Sequence, residues 1–258
     1  MKHQLVNADC LDFITSPDQQ WTTVFADPPD NIGLGYANYR DWLPKEEYNR
    51  LLGLWLRTFI YHAKTVWFSY NARWTFHVCR HVADMLDRIR GLEAKPCVQT
   101  FTFGQHCHYD LGNNHRPLLR LRWHDAPLYP DAIRVPSWRQ ENGDKRADPR
   151  GRVPGDVFDF PRVTGNNKQR RPWHPTQLNE GLVERCLTLT TPEGGSVLDP
   201  FAGTGTTLRV CKRINRPCTL IELDRHYCDE IAKEHALVSL PCGHPKIWAA
   251  QPGDEQRN

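Results

Sequence analysis

Short apolar runs alternate along this chain with longer segments in which apolar residues recur at helical spacing. Buried strands are predicted for Thr22–Ala26, Thr65–Ser69, Ser196–Leu198 and Cys218–Leu223, and a strand with one polar face for Leu119–Trp123. Helices are predicted from Pro44 to Phe59, Trp74 to Ile89, Leu178 to Leu189, Thr206 to Ile214 and His226 to Leu240. Strands and helices in alternation are typical of an α/β fold with a largely parallel sheet.

Composition limits the class of protein. The chain has 258 residues, 39% of them hydrophobic and 24% charged, and its mean hydropathy is −0.64. This content of core-forming side chains is too high for a disordered chain, and no apolar run approaches the ~20 residues of a membrane helix. The first residues, Met1-Lys2-His3-Gln4, show no signal-peptide pattern. We therefore expect a globular, cytoplasmic protein of one large or two small domains, with no membrane partner.

The cysteines argue against a disulfide framework. There are 9 of them, an odd number spread over the whole length, which fits reduced thiols in an intracellular protein. His106-Cys107-His108 and Cys242-x-His244 offer zinc ligands, but the sequence contains no Cys-x-x-Cys pair. No metal site is therefore predicted.

Positive charge is concentrated in one part of the chain. The formal net charge is +3, yet residues 115–174 contain 13 Lys and Arg against 7 Asp and Glu. From Ala126 to Pro172 the sequence is dense in proline and glycine, which favours irregular loops over long helices. Trp123, Trp138 and Trp173 lie among these cations. Cations neutralise phosphates and flat rings stack on bases, so the segment is a candidate nucleic-acid surface, with a solvated loop as the alternative.

A glycine-rich turn follows one of the predicted strands. The residues from Val197 to Thr207 read Val-Leu-Asp-Pro-Phe-Ala-Gly-Thr-Gly-Thr-Thr, a strand that ends in Asp199 and a turn that opens a helix. Ligands of open α/β sheets bind at such carboxyl ends of strands, and glycine permits close approach of the backbone to a ligand. Glu222, 23 positions after Asp199, ends the next predicted strand, where a carboxylate commonly receives two ribose hydroxyls.

Two other nucleotide-binding motifs match this turn less well. A dinucleotide fingerprint begins at Gly203-Thr204-Gly205, but Leu208 stands where its third glycine belongs. A Walker A loop would need a Gly-Lys-Ser/Thr sequence, which does not follow. Neither a dinucleotide oxidoreductase nor a P-loop nucleotidase is therefore the favoured interpretation.

A second acidic turn, Asp27-Pro28-Pro29-Asp30, follows the predicted strand Thr22–Ala26. Proline has a carbonyl acceptor and no N–H donor, so this turn offers a carboxylate and rigidly aimed carbonyls with little competition from donors. A group with two N–H donors, such as the exocyclic amine of a base, could bond to the Asp27 carboxylate and the Pro28 carbonyl together. Taken alone, the turn is also compatible with a diproline that ends a strand.

The two acidic turns together resemble the motifs of S-adenosylmethionine-dependent DNA amino-methyltransferases, which modify N6 of adenine or N4 of cytosine. His174-Pro175-Thr176-Gln177 before a helix and Asn7-Ala8-Asp9-Cys10 are further matches, so the resemblance covers nearly the whole chain. The acceptor motif precedes the cofactor motif, with the basic segment between them, which resembles the circularly permuted β group. The resemblance implies one Rossmann-like methyltransferase domain with a mostly parallel, seven-stranded sheet flanked by helices.

The resemblance also implies S-adenosylmethionine as cofactor and assigns its contacts. These are Asp9, Cys10, His174, Thr176, Gln177, Asp199, Phe201, Ala202, Gly203, Gly205, Thr206 and Glu222. Asp199 is expected to face the amino group of the methionine part, and Glu222 the ribose hydroxyls. Asp9 and Cys10 are expected at the adenine end. The segment from His174 to Gln177 matches the part that closes over the methionine, although His174 also fits a simple helix-start residue.

Asp27, Pro28, Pro29 and Asp30 match the acceptor motif and are the predicted catalytic residues. The family usually has Tyr, Phe or Trp at the fourth position, where the ring stacks on the extruded base, and this chain departs from that pattern. Stacking would then come from the aromatic residues that follow, Tyr36, Tyr39 or Trp42, or the target is not an ordinary base. Asp27, in place of the Ser common in cytosine-N4 enzymes, favours N6 of adenine as acceptor.

The implied partner is double-stranded DNA with the target base extruded, and homodimerisation is left open because some relatives dimerise. The predicted DNA contacts are Tyr36, Tyr39, Arg134, Arg139, Lys145, Arg146, Arg170 and Arg171. The predicted organisation is a catalytic half (1–124), a basic target-recognition insertion (125–172), a cofactor-binding half (173–248) and a flexible tail (249–258). Cytosine-N4 methylation, methylation of a protein side-chain amide and a non-catalytic nucleic-acid-binding relative are the alternative functions.

Overall fold

A computed structural model describes residues 2–36, 39–101 and 107–241, which form one sheet with helices on both faces. The strands are β1 (Gln4–Asn7), β2 (Trp21–Ala26), β3 (Ala63–Ser69), β4 (Leu92–Thr100), β5 (His115–Trp123), β6 (Val157–Asp159), β7 (Val197–Asp199), β8 (Cys218–Glu222) and β9 (Ser239–Pro241). The helices are α1 (Cys10–Phe13), α2 (Lys45–Tyr61), α3 (Thr75–Arg88), α4 (Trp138–Glu141), α5 (Glu180–Thr190), α6 (Thr206–Arg213) and α7 (Arg225–His235). None of the described helices is long and apolar enough to cross a membrane.

The sheet has the strand order β6-β4-β5-β3-β2-β7-β8-β1-β9. Every pairing is parallel except those of β5, which runs antiparallel to both β3 and β4. The predicted α/β fold with a mostly parallel sheet is therefore confirmed. The expectation of seven strands was wrong, because the sheet contains nine in the described part of the chain. The short strands β6 and β9 extend the two edges, and neither is long enough to give a periodic apolar pattern.

The helices α2 and α3 follow the predicted spacing closely. Pro44 precedes α2, where its fixed φ suits a helix start, and Glu46 and Glu47 lie in the first turn, where negative charge is favourable. The buried face of α2 packs on the sheet. Its large apolar residues recur at helical spacing and are Tyr48, Leu51, Leu52, Trp55, Leu56, Phe59 and Ile60.

The helix predicted from His226 to Leu240 was wrong at its carboxyl end. Helix α7 ends at His235, and the residue that caps it, Ala236, has a left-handed backbone with a φ of 52°. Three residues further on, the chain enters β9 and pairs with β1 at the sheet edge. The apolar residues Val238 and Leu240 belong to this edge and not to a helical face, because a short apolar run does not distinguish the two structures.

The central strands are buried on both faces and divide the core into two layers. Val24 and Ala26 of β2 point into the layer formed with α2 and α3, whereas Phe25 points into the layer formed with α5 and α6. On β3, Val66 points into the layer with α2 and α3, and Trp67 points into the layer with α5 and α6. The continuous apolar run of each strand is the consequence, since successive side chains enter opposite layers.

The sheet brings together residues that are far apart in sequence. β2 pairs with β7 and β1 pairs with β8, so residues on both sides of the basic segment build one sheet. All four strands are parallel, and their carboxyl ends therefore lie at the same edge. This edge carries the turns that follow Ala26, Asp199, Glu222 and Asn7.

Candidate active site

A cavity of about 410 Å³ opens at the carboxyl edge of the sheet. Its lining includes the four residues of the acceptor turn, Asp27, Pro28, Pro29 and Asp30. The predicted cofactor contacts also line it, with the exception of Gly205: Asp9, Cys10, His174, Thr176, Gln177, Asp199, Phe201, Ala202, Gly203, Thr206 and Glu222. The tertiary structure thus places both acidic turns against one cavity, of a size typical for small-molecule sites.

The two glycines of the turn after β7 have different surroundings. Gly203 has a φ of +50°, and a Cβ added there would lie 3.2 Å from Nε2 of His174. Gly205 has a φ of +71°, precedes α6, and a Cβ there would meet Ile231 of α7 at 3.3 Å. Gly203 therefore keeps the cavity wall close to the His174 ring, whereas Gly205 lets α6 begin beside α7.

Asp199 and Glu222 are buried carboxyl groups held by backbone N–H groups. Asp199 accepts from the Phe201 N–H at 3.0 Å, and Glu222 accepts from Gly203 at 2.8 Å and from Asp224 at 2.9 Å. Burial raises the pKa of Asp199 to about 7 and that of Glu222 to about 7, because it disfavours the charged form.

Asp9 and Cys10, at the start of α1, also line the cavity. The Asp9 side chain caps α1 and accepts from the Leu11 N–H at 2.7 Å. Burial raises the pKa of Asp9, and it raises the pKa of the fully enclosed Cys10 thiol well above its usual value. Cys10 is therefore a neutral, apolar contact at neutral pH.

His174 and Gln177 shape the segment before α5. Nδ1 of His174 lies 2.6 Å from the Thr176 carbonyl oxygen, and burial lowers the pKa of the imidazole to about 4, so the ring is neutral at pH 7. Gln177 accepts from the Arg171 N–H and donates to the Gln169 carbonyl, at 2.8 and 2.5 Å. The predicted helix-start role of His174 is not what the structure shows, because Asn179 caps α5.

The acceptor turn is fixed through two of its carbonyl oxygens. The Tyr48 hydroxyl donates to Pro29 at 2.6 Å, and the Trp74 indole N–H donates to Asp30 at 2.8 Å. No described residue donates to the Pro28 carbonyl, although Pro28 lines the cavity. The Pro28 carbonyl, which was predicted to accept a hydrogen bond from a ligand, is therefore left without a donor from the described residues.

Asp30 has a partner that the sequence did not predict. The guanidinium of Arg116 on β5 donates to both oxygens of Asp30, at 2.8 and 2.9 Å, and to Oδ1 of Asp27 at 2.7 Å. Its Nε donates to the Ser69 hydroxyl at 2.6 Å. Burial raises the pKa of Asp27, and the Arg116 charge opposes that rise. The one sequence signal for this cation was the acidic Asp30 itself, since two close carboxylates need a countercharge.

The segment after the acceptor turn carries two of the predicted stacking residues to the cavity. Tyr36 and Tyr39 both line it, and the Tyr36 ring lies edge-on to Tyr39 at 6.0 Å and to His174 at 5.6 Å. The carboxylate of Asp41 folds this segment by accepting three backbone N–H bonds, at 2.7 to 3.1 Å. Trp42, the third candidate, lies outside the lining and is 63% exposed.

Two buried polar atoms at the cavity have no protein partner among the described residues. They are Oδ2 of Asp224 and the hydroxyl of Tyr39. An unpaired buried polar atom costs about 1–3 kcal/mol, and both atoms remain unsatisfied within the described part of the chain.

The predicted DNA contacts of the basic segment do not line the cavity, and several are engaged within the protein. Arg134 pairs with Asp131 at 2.6 Å, Arg146 with Asp144 at 2.9 Å, and Arg171 with Glu234 at 2.6 Å. Arg170 donates to two carbonyl oxygens of its own loop, while Arg139 and Lys145 are exposed. A cation that does reach the cavity is Arg162, which stacks on Phe101 at 5.3 Å and was not among the predicted DNA contacts.

Within the described residues, no group of His, Cys, Asp and Glu has the arrangement of a metal site. Cys107 and His108 are among the described residues, whereas His106, Cys242 and His244 lie outside them.

Replacing Asp199 with Asn changes how stability depends on pH. The folded wild type keeps the Asp199 proton up to a pKa of about 7, whereas the unfolded chain loses it near 3.8. Raising the pH through this window therefore favours unfolding of the wild type, by at most about 1.4 kcal/mol per pH unit. We expect the free energy of unfolding of Asp199→Asn, relative to wild type, to rise from about pH 4 to about pH 7 and then level off, as measured by urea unfolding.

Asp87→Asn, which removes an exposed carboxylate of α3, controls for the change in net charge. A constant difference between Asp199→Asn and wild type across the window would contradict the prediction.

Comparison with known proteins gives the family. The sequence matches the DNA methylase family N6_N4_Mtase over residues 22–234. It is 43% identical to the type II methyltransferase M.HpaI of Haemophilus parainfluenzae over 106 residues, 40% of this chain and 32% of that protein. It is 30% identical to the DNA adenine methyltransferase YhdJ of Escherichia coli (strain K12) over 242 residues, 82% of this chain and 74% of that protein.

The matched stretches cover about a third of M.HpaI, M.BglII of Bacillus subtilis and M.ScaI of Streptomyces caespitosus, namely 32%, 37% and 35% of their lengths. Among solved structures, the M1.HpyAVI–SAM complex has a TM-score of 0.61 at 18% identity, covering 90% of this chain and 98% of that one. The PvuII cytosine-N4-specific DNA methyltransferase has a TM-score of 0.66 at 13% identity, covering 89% and 86%. These likenesses concern the fold, and the sequence match over most of the chain shows that this protein belongs to the DNA methylase family.

Proposed function

We propose that this protein is a DNA methyltransferase that moves a methyl group from S-adenosylmethionine to the exocyclic amine of an extruded base, N6 of adenine. The observation that carries the proposal is that the glycine turn after β7 and the Asp27 turn after β2 line one cavity. Family membership supports it. So do the names of relatives, which include type II and DNA adenine methyltransferases.

The cavity fits the cofactor by its donor and acceptor pattern. Gly203 would allow the backbone close to the methionine part, and Glu222 offers carboxylate oxygens to ribose hydroxyls. The unpaired Oδ2 of Asp224 is a further acceptor for hydroxyl or amino groups. Asp9 and Cys10 line the same cavity and would contact the adenine end. Bound there, the cofactor supplies a reactive methyl group, and the protein supplies position and electrostatics.

The acceptor turn is suited to activate an amine. The lone pair of an aromatic amine is delocalised into the ring, which makes the nitrogen a poor nucleophile. If the Asp27 carboxylate and the Pro28 carbonyl accept its two N–H bonds, the nitrogen becomes pyramidal and its lone pair is directed at the methyl group. Positive charge then grows on nitrogen as the N–C bond forms, and acceptors already in place stabilise it more than they stabilise the ground state.

Asp27 does not have to act as a strong base. The methylated ammonium is acidic and releases its proton readily to water or through the carboxylate. The structure supports the division of labour in this turn, since Tyr48 and Trp74 hold the Pro29 and Asp30 carbonyls while Pro28 stays available. The turn is thus rigid before the base arrives, which lowers the cost of ordering it.

A base inside a duplex lies out of reach of this cavity, so the target nucleotide has to be extruded, at a cost of a few kcal/mol. The basic segment would contribute binding energy through the exposed cations Arg139, Lys145 and Arg146. Arg146 pairs with Asp144 at the surface, and a phosphate can compete for such a pair because surface ion pairs are weak. Tyr36 and Tyr39 offer aromatic faces at the cavity for the extruded base.

Adenine is favoured over cytosine by two observations. The acceptor turn begins with Asp27, and the relative that this chain matches over 242 residues is named a DNA adenine methyltransferase. Cytosine N4 is the second candidate, because its amine presents the same two N–H donors and the PvuII enzyme of similar fold is named cytosine-N4-specific.

The test is to incubate the purified protein with tritiated S-adenosylmethionine and either duplex DNA or protein, and to identify the labelled product. Label in N6-methyldeoxyadenosine supports the proposal, and label in N4-methyldeoxycytidine moves the acceptor to cytosine. Label found in protein alone, or DNA binding without any transfer, would replace the proposal with amide methylation or with a non-catalytic DNA-binding role.

Asp27→Ala is expected to lower the rate of methyl transfer by on the order of 10²- to 10³-fold, because the carboxylate that stabilises the positive charge developing on the amine nitrogen is lost. Cofactor affinity is expected to change little, since Asp27 belongs to the other turn. Single-turnover kinetics and isothermal titration with the cofactor measure the two effects. Asp87→Ala on the exposed face of α3 is the control, and near-normal turnover in Asp27→Ala would remove the mechanism.

Gly203→Ala is expected to weaken cofactor binding by about tenfold or more. A side chain at a φ of +50° is strained by about 1–2 kcal/mol, and its Cβ would press on His174 at 3.2 Å. The matched control is Gly155→Ala, where an added Cβ meets nothing within 4 Å. Titration with the cofactor, with thermal melting as a folding check, decides the outcome. Equal affinities in the two variants would show that Gly203 does not face the cofactor.

A further inference from the structure

Arg116 is almost completely occupied by the acceptor turn. Its four hydrogen bonds go to both oxygens of Asp30, to Asp27 and to Ser69, and they leave one N–H of the guanidinium without an acceptor among the described residues. The three charged side chains are largely enclosed, at 20%, 25% and 11% exposure for Arg116, Asp27 and Asp30. An arginine whose N–H groups are mostly hydrogen-bonded within the protein orients the neighbouring side chains and has few donors free to bind a substrate.

We propose that Asp30 and Arg116 act as a positioning pair, which holds the Asp27 carboxylate charged and aimed at the substrate amine, and that Asp30 itself does not contact the base. This inference rests on the proposed function, in which Asp27 accepts a hydrogen bond from the amine. Arg116 is anchored bidentately by Asp30, and its second Nη2 hydrogen then reaches Oδ1 of Asp27. The planar guanidinium fixes both carboxylates in one geometry, as a point charge would not.

The charge balance of the turn explains why both members are needed. Asp27, Asp30 and Arg116 together carry one net negative charge, which suits the positive charge that develops on the amine nitrogen. Without Arg116, two buried carboxylates would face each other, and one would take up a proton. Without Asp30, the guanidinium would pair with Asp27 alone and cancel the charge that the reaction uses. Removal of both would leave Asp27 as the single charge.

Several titratable side chains surround Asp27. Its electrostatic neighbours are Asp30 in its own turn, Arg116 on β5, Asp199 after β7 and Tyr36 in the following segment. Tyr48 on α2 donates to the Pro29 carbonyl of the same turn, and His174 before α5 lines the same cavity. Burial raises the pKa of Asp27, Arg116 lowers it, and Asp30 raises it. Arg116 is the cation that hydrogen-bonds the Asp27 carboxylate, so its loss shifts ionisation of Asp27 to higher pH.

The test is a double-mutant cycle with Arg116→Gln, Asp30→Asn and the double variant. Single-turnover methyl transfer to DNA is measured at saturating cofactor over about pH 5 to 9. We expect Arg116→Gln to lower the rate at neutral pH by on the order of 10²-fold and to move the acidic limb of the profile to higher pH, with cofactor affinity unchanged. The double variant is expected to lose less than the product of the two single losses, by about tenfold.

Arg120→Gln is the matched control. Arg120 lies on the same strand and stacks on Trp67, with its guanidinium 5.9 Å from the ring centre, and it does not line the cavity. The rate and the pH profile of this variant are expected to match the wild type. The positioning role would be overturned if the rate loss of the double variant equalled the product of the two single losses. It would also be overturned if the acidic limb of the Arg116→Gln pH profile were not shifted. A loss in Asp30→Asn that persists in full in the Arg116→Gln background would instead place Asp30 in contact with the base.

A second readout separates this inference from the proposed function. Carboxyl ¹³C NMR of the ligand-free protein follows the titration of Asp27 without any substrate. A higher titration midpoint in Arg116→Gln than in wild type supports the pair even if the wild type methylates no DNA, which would defeat the proposed function alone. An unchanged midpoint defeats the positioning role even if the enzyme is active.

Discussion

The parallel pairing of β2 with β7 is the contact on which the candidate site depends. Val24 lies opposite Leu198 in this ladder, so the two strands run side by side and end at the same edge. Each strand ends in an acidic turn, and neither turn forms a site alone. Because the side chains of both strands enter both core layers, a shift in register would turn every apolar side chain into the wrong layer. Core packing thereby fixes the position of the two turns relative to each other.

Negative charge is gathered in the cavity that results, and the fold compensates it in two ways. Asp199 and Glu222 accept backbone N–H bonds, and their pKa values still rise to about 7 because burial outweighs these bonds. Asp27 is compensated by a full positive charge, from Arg116. The first kind of compensation leaves oxygens that suit hydroxyl and amino groups of a nucleoside. The second kind suits a carboxylate that has to stay charged in an enclosed site.

The elements that the sequence predicted well are those with long apolar patterns. The predicted α2 and α3 differ from the observed helices by a few residues at their ends, as do the central strands. β4 was not predicted, because only Leu92 and Gln99 of its residues are buried and Pro96 interrupts the pattern. β1, β6 and β9 were missed for their shortness, and the end of α7 was placed too late because β9 continues its apolar run. Local periodicity therefore identified the five central strands of the sheet and missed the two outermost strands on each side.

The sequence by itself determined the chemistry of the site: two acidic turns, the glycines of the turn after β7, and aromatic residues after the acceptor turn. It also determined the family, since motifs of this kind carry their meaning in residue types and spacing. Only the tertiary structure decided that Arg116 belongs to the site. Because β5 is antiparallel, its first residues lie at the carboxyl edge of the sheet, where the other strands end. Along the chain Arg116 is one more polar residue of an alternating strand, and pairing across the sheet is a long-range property that no local pattern contains.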